Sequence, residues 1–132
     1  MKKIITNTTD LAAIKILKLD SNDIIGFSLE NIPTKADYIF LNNVLTDYIA
    51  NRDAIRLLLQ MEDSFQVAPK HVFEELQTTF DFYKNKTNVA VLGKSAIIKQ
   101  IDKEAVTSAG IRLNCFALEE NSQAIVWLTS NK

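Results

Sequence analysis

The 132-residue chain is 47% hydrophobic and 23% charged, with 15 basic and 16 acidic side chains and a net charge of -1. Such a balance describes one folded domain rather than a disordered segment, which would be poorer in apolar residues and richer in net charge. A near-neutral chain also lacks the basic footprint of a general nucleic-acid binder.

Residues 1–11 read as an N-terminal extension, a short strand or a loose segment, ahead of a single domain over residues 12–132. Ala13-Ile14-Lys15-Ile16-Leu17 and Ile24-Ile25-Gly26-Phe27-Ser28-Leu29 are short runs rich in β-branched and aromatic residues. The Asp20-Ser21-Asn22-Asp23 turn between them predicts an antiparallel hairpin. Pro33-Thr34-Lys35-Ala36-Asp37 starts a helix. Thr34 can cap it, and Asp37 sits three residues later near the positive end of the dipole. Leu41, Leu45, Tyr48 and Ile49 give that helix one apolar face, and Asn51-Arg52-Asp53 ends it. Residues 54–61, Ala-Ile-Arg-Leu-Leu-Leu-Gln-Met, form the most apolar stretch and read as a buried central strand.

Pro69 suits the first turn of a second helix, where its missing N–H has no intrahelical partner. Val72, Leu76, Phe80 and Tyr83 would form the buried stripe, with Phe73 beside them. Val89-Ala90-Val91-Leu92 is a short buried strand. Gly93-Lys94-Ser95 then turns into a third helix carrying Ile97, Ile98, Ile101 and Val106, with Gly110 at its exit. Ile111 to Phe116 alternates as a last strand, and Asn121-Ser122 caps a final helix with Ala124, Ile125 and Leu128. The order ββαβαβαβα predicts an α/β fold: a mixed sheet, mostly parallel with an antiparallel edge hairpin, covered by helices.

Scarcity narrows the chemistry. The single cysteine, Cys115, can form neither an internal disulfide nor a Cys-rich zinc site, and a cytoplasmic home is the default. The basic start, Met1-Lys2-Lys3-Ile4-Ile5-Thr6-Asn7, lacks the apolar core of a signal peptide. No apolar run approaches the ~18 residues of a membrane helix. The single histidine, His71, falls in the first turn of a helix and reads as solvated; its being alone removes many acid–base and metal chemistries. Neither a metal nor a cofactor is expected.

Gly93-Lys94-Ser95 follows a strand and opens a helix, as a phosphate-binding loop does, but Asn88 stands where the earlier glycine is needed. The segment reads as a plain turn with Ser95 as N-cap, or as a place where Lys94 holds one anionic head group. Glu62-Asp63-Ser64 follows the central strand. Ligands of open α/β sheets sit outside the carboxyl ends of the parallel strands. On this reading the loops at residues 62–68, 93–95 and 118–122 converge there. Glu62 and Asp63 are candidate ligand contacts at that edge, or simply solvated carboxylates. Phe73, Phe80, Phe82 and Tyr83 crowd one helix and cannot all face the sheet. Phe73, Phe82 and Tyr83 are therefore candidates for a subunit interface or the wall of an apolar groove. Cys115 reads as a small buried hydrophobe and Trp127 as a core anchor or a partly buried edge residue.

From about Ala13 to Leu128 the chain resembles the SpoIIAA-like family of bacterial STAS-related proteins. The likeness rests on ordered blocks: Ile14-Lys15-Ile16-Leu17 with Ile25-Gly26-Phe27; Pro33 to Tyr38, similar to that family's helix start ending in Asp-Tyr; and Ile55-Arg56-Leu57-Leu58-Leu59. Val89-Ala90-Val91-Leu92-Gly93 is similar to its Val-Ala-Val-Val-Gly block, and Ala124-Ile125-Val126-Trp127-Leu128 to its C-terminal Ala-x-x-Trp-Leu. The resemblance implies the same ββαβαβαβα sandwich and carries over no catalytic residue. The chain departs from the family in having Ile97 and Ile98 where a tryptophan is frequent, and no histidine near Phe82. Phosphorylatable STAS antagonists carry an Asp-Ser-Ser-Gly-like turn after the central strand. Asp63-Ser64-Phe65-Gln66 keeps only its first two residues, which leaves Ser64 as the candidate phosphoacceptor.

Three functions follow as expectations. The first is a non-enzymatic regulatory or protein-interaction domain working as a homodimer or on a protein partner. The second is a binder of a small apolar molecule such as a fatty acid, with Lys94 receiving the anionic head. The third is a phosphorylation switch at Ser64.

Overall fold

The structure is a computed structural model and describes residues 12–19, 21 and 23–130. The expected extension over residues 1–11 lies outside the described residues. Five strands, β1 (Ile14–Leu17), β2 (Ile25–Leu29), β3 (Ile55–Met61), β4 (Thr87–Leu92) and β5 (Ile111–Phe116), form one sheet in the order β1-β2-β3-β4-β5. β1 and β2 pair antiparallel, with Ile14 opposite Leu29; the other pairs are parallel. The expected mixed sheet with its edge hairpin is the one observed.

Six helices complete the described chain: α1 (Lys35–Ile49), α2 (Pro69–Glu75), α3 (Gln77–Phe82), α4 (Ser95–Ile98), α5 (Lys103–Ser108) and α6 (Asn121–Ser130). Each parallel step moves to the next strand in the same direction, so right-handed crossovers place α1 through α5 on one sheet face. There Leu41, Leu45, Val72, Leu76 and Phe80 pack in one core with Phe27, Leu57, Leu59, Val89 and Val91. α6 follows the last strand to the other face, where Ala124 and Leu128 cover Leu58, Ala90 and Leu92. Leu57, Leu58 and Leu59 thus point alternately into two cores, which is why β3 reads as an unbroken apolar run.

α1 begins as its residues dictate. Thr34 Oγ1 accepts the Asp37 N–H at 3.2 Å, and an Asp37 carboxylate oxygen accepts the Thr34 N–H at 2.7 Å, a closed capping box. Four local expectations change. The single second helix is two, broken at Leu76 (φ -99, ψ 3), whose N–H is shared between the Val72 and Phe73 carbonyls at 3.2 Å each. The third helix is also two: Asp102 accepts the Ala105 N–H at 3.1 Å and restarts it as α5. Ser95 is not a cap, because Lys94 holds the extended N-cap position and Ser95 is the first helical residue. Asn121-Ser122 do not cap α6. A 3-10 turn over Leu118–Glu120 leads directly into it, with Glu120 Oε1 accepting the Ala117 N–H at 2.8 Å.

Candidate functional site

Three groups of side chains carry the chemistry: the carboxyl edge of the sheet, a groove beside Phe82, and a cleft under α5.

At the carboxyl edge the loops after β2 and β3 are laced together. The Glu62 N–H donates to the Leu29 carbonyl at 2.9 Å and the Gln66 N–H to the Asn31 carbonyl at 2.9 Å. Ser64 Oγ accepts the Asn31 N–H at 3.3 Å. Asn31 adopts φ 52, a left-handed conformation that asparagine tolerates better than most residues. Glu62 is half-buried and its Oε2 accepts from both Gln60 Nε2 and Ser28 Oγ, the latter at 3.3 Å. Asp63 and Ser64 are exposed. Ser64 lies five residues before Pro69, the first residue of α2, so it does not sit at a helix N-terminus.

Lys94 and Ser95 are exposed at the start of α4, a helix of four residues. No described hydrogen bond or ion pair joins them to Glu62, Asp63 or Ser64. The edge therefore brings Glu62 together with Ser28 and Gln60, not with Lys94. Among the described residues no group of three or more His, Cys, Asp or Glu side chains could hold a metal ion. No described helix is long and apolar enough to cross a membrane.

The aromatic candidates separate. Phe73, Leu76 and Phe80 keep the i, i+3, i+7 spacing of one buried stripe and reach the core. Phe82 falls off that stripe and is 84% exposed. Its ring meets that of Tyr83 at 5.7 Å, and both line a shallow groove against Thr46, Ile49 and Ala50 of α1. Phe73 instead lines a cleft on the opposite flank of α2 and α3. Its floor is Phe73, Phe80, Ile101 and Ile111, its far wall Ala105 and Val106 of α5, and its rim includes Lys70.

Lys70 and Ala105 were not among the residues singled out from the sequence. Nothing local marks them, because the cleft is assembled from α2, α3, α5 and β5. The one available signal is the i, i+4, i+7 spacing of Lys70, Glu74 and Gln77, a polar stripe beside the buried one. Cys115 is half-buried, and desolvation pushes its thiol above the ordinary range despite the Lys103 charge. Trp127 is partly buried, with its ring 6.4 Å from that of Phe116.

Comparison with known proteins agrees with this architecture. The family model described as SpoIIAA-like matches residues 24–129. An uncharacterized protein of the DUF3478 family from Shewanella loihica PV-4, which has a SpoIIAA-like fold, superposes with a TM-score of 0.66 at 19% sequence identity. That likeness covers 89% of this chain and 95% of the other. No curated protein matches the chain.

Proposed function

The chain belongs to the SpoIIAA-like family, and from that premise we propose that it is a non-enzymatic cytoplasmic docking domain, acting as a homodimer or on a protein partner. The observation that carries the reading is Phe82. A large aromatic side chain left 84% exposed, beside a half-buried Tyr83 and the end of α1, presents apolar area that one more surface would remove from water. Aromatic anchors of this kind dominate binding energy at interfaces.

Sedimentation and pulldown with Phe82→Ser test it. The wild type is expected to sediment as a dimer or to retain a partner, and Phe82→Ser to lose that association. Stability should stay within about 0.5 kcal/mol, because the ring is exposed. Phe80→Ala is the contrasting control: Phe80 is 1% exposed, and its truncation should cost about 3–5 kcal/mol. A wild type that is strictly monomeric and retains no partner, or a Phe82→Ser protein with unchanged association, overturns the reading.

A second reading is supported by Ser64, whose exposed hydroxyl accepts the Asn31 N–H where the two loops meet. Phosphate on Ser64 would add charge beside Glu62 and Asp63 and would act on that junction first.

A further inference from the structure

A second large apolar side chain stands in water near Phe82. Ile39 of α1 is 53% exposed. It starts a stripe of exposed residues, Ile39, Asn43, Thr46 and Ala50, on the side of α1 opposite the buried Leu41 and Leu45. Thr46 and Ala50 also line the Phe82 groove, together with Thr78 and Thr79 of α3. Three helical turns separate Ile39 from Ala50, a distance of about 16 Å. One face therefore carries both a projecting side chain and a hollow lined by small residues.

Such a face can fit a copy of itself. A two-fold axis midway between Ile39 and Ala50 and perpendicular to α1 sets Ile39 of one copy on Ala50 of the other, and the reverse, as a contact between identical faces requires. Charge agrees with this antiparallel arrangement. The exposed Asp47 comes beside Asn43 of the other copy, and Lys35 at the start of α1 comes opposite Asp53, exposed just beyond its end. Arg52, the base nearest that end, is folded back: its guanidinium lies 4.4 Å from the Tyr48 ring centre and donates to the Tyr48 carbonyl at 3.0 Å. Parallel pairing of the two helices would instead set Asp47 against Asp47 and leave each hollow facing the other.

We propose that the partner at this face is a second copy of the chain, packed with the two α1 helices antiparallel and each Ile39 seated against Phe82 and Ala50 of the other. The inference rests on the docking reading and names its partner. Ile39 and Phe82 supply the apolar area, twice over by symmetry. The small Thr46 and Ala50 let the helix axes approach to about 8 Å, the close end of helix packing.

Disulfide trapping in a Cys115→Ser background tests it. Facing positions 39 and 50 fall within the Cα separation of about 4–7 Å that a disulfide spans, whereas position 39 in the two copies stands about 16 Å apart. An equimolar mixture of Ile39→Cys and Ala50→Cys chains is expected to oxidise to a covalent dimer, and either chain alone to stay uncrosslinked. In sedimentation, Ile39→Ser should raise the dimer dissociation constant about tenfold or more. Should a cysteine variant not fold, Ile39→Ser decides, and a dissociation constant within about twofold of the wild type overturns the packing. A wild-type dimer that is lost in Phe82→Ser while the mixture stays uncrosslinked overturns the packing and leaves the docking reading standing. So does covalent dimer from Ile39→Cys alone, which places the axis elsewhere. A monomeric wild type that retains a different protein through Phe82 overturns the second-copy inference only; a monomer that retains nothing overturns both.

Discussion

Asn114 turns its side chain along β5 so that Oδ1 accepts the Cys115 backbone N–H at 2.9 Å. β5 is an edge strand. The Phe116 carbonyl accepts from Gly93, so in this parallel ladder Asn114 and Phe116 turn their backbone groups toward β4, while Leu113 and Cys115 turn theirs outward. The Asn114 amide therefore occupies a donor that a further strand would seek, a local way of blunting a sheet edge. Asn114→Ala is expected to raise concentration-dependent association in light scattering with an unchanged circular dichroism spectrum. Asn114→Asp, which keeps the acceptor, should behave as the wild type.

Three acids are held in their neutral forms by the fold. Desolvation is the leading cause at Cys115, Tyr38 and Tyr48. Glu75 and Asp37 add to it at Tyr38, while the Arg56 N–H, Arg52 and Arg56 oppose it at Tyr48. Each pKa is raised in the folded state, so the folded chain binds these protons more tightly than the unfolded one. Their contribution is complete below the ordinary values of 9.0 for the thiol and 10.0 for the phenols. It is lost as pH rises through the folded-state values. Melting temperature should therefore fall on the alkaline side, beginning near pH 9. Alkylation of Cys115 by iodoacetamide should show a pH midpoint above that of free cysteine. A midpoint at or below the free value contradicts the account.

Gly110 joins α5 to β5 at φ 85, and a Cβ there would run into the Lys84 side chain and the Asn85 backbone. Its carbonyl also accepts the Asn85 N–H at 2.9 Å, so the turn cannot move without disturbing the β4 side. Gly110→Ala should cost about 1–2 kcal/mol from the left-handed backbone alone, and more once Lys84 is displaced. A urea titration measures it.

Ser64 ties the β2 and β3 loops from an exposed position. Ser64→Ala should cost no more than about 0.5–1 kcal/mol yet speed amide exchange at Asn31, whose N–H loses its acceptor. Ser64→Asp adds a charge next to Asp63 and, on the switch reading, should change partner retention in the pulldown. Unchanged retention there removes the switch.

The elements were legible where local chemistry and burial agree. The Thr34–Asp37 box, the two-sided apolar run of β3 and the alternation of β5 each follow from a few adjacent residues. The breaks at Leu76 and Asp102 were harder to see. Hydrophobic periodicity runs through both, although an aspartate followed three residues later by an available N–H is itself a cap signal. At the carboxyl edge the loops after β2 and β3 are joined by hydrogen bonds, and Glu62 turns to Ser28 and Gln60 rather than toward Lys94. Side-chain direction depends on packing that spacing does not contain.

By itself the sequence determined the class of the protein: alternating strands and helices with apolar runs and stripes to match, and one histidine and one cysteine for chemistry. Tertiary structure alone decided which surfaces are open. Phe73 and Phe82 share one helical region and one residue type, yet one lies in the core and the other is 84% exposed. The cleft beneath α5 exists because Ala105 of one crossover faces Phe73 and Phe80 of another. Exposure and vacancy are properties of facing elements distant along the chain, and no local pattern encodes what will stand opposite.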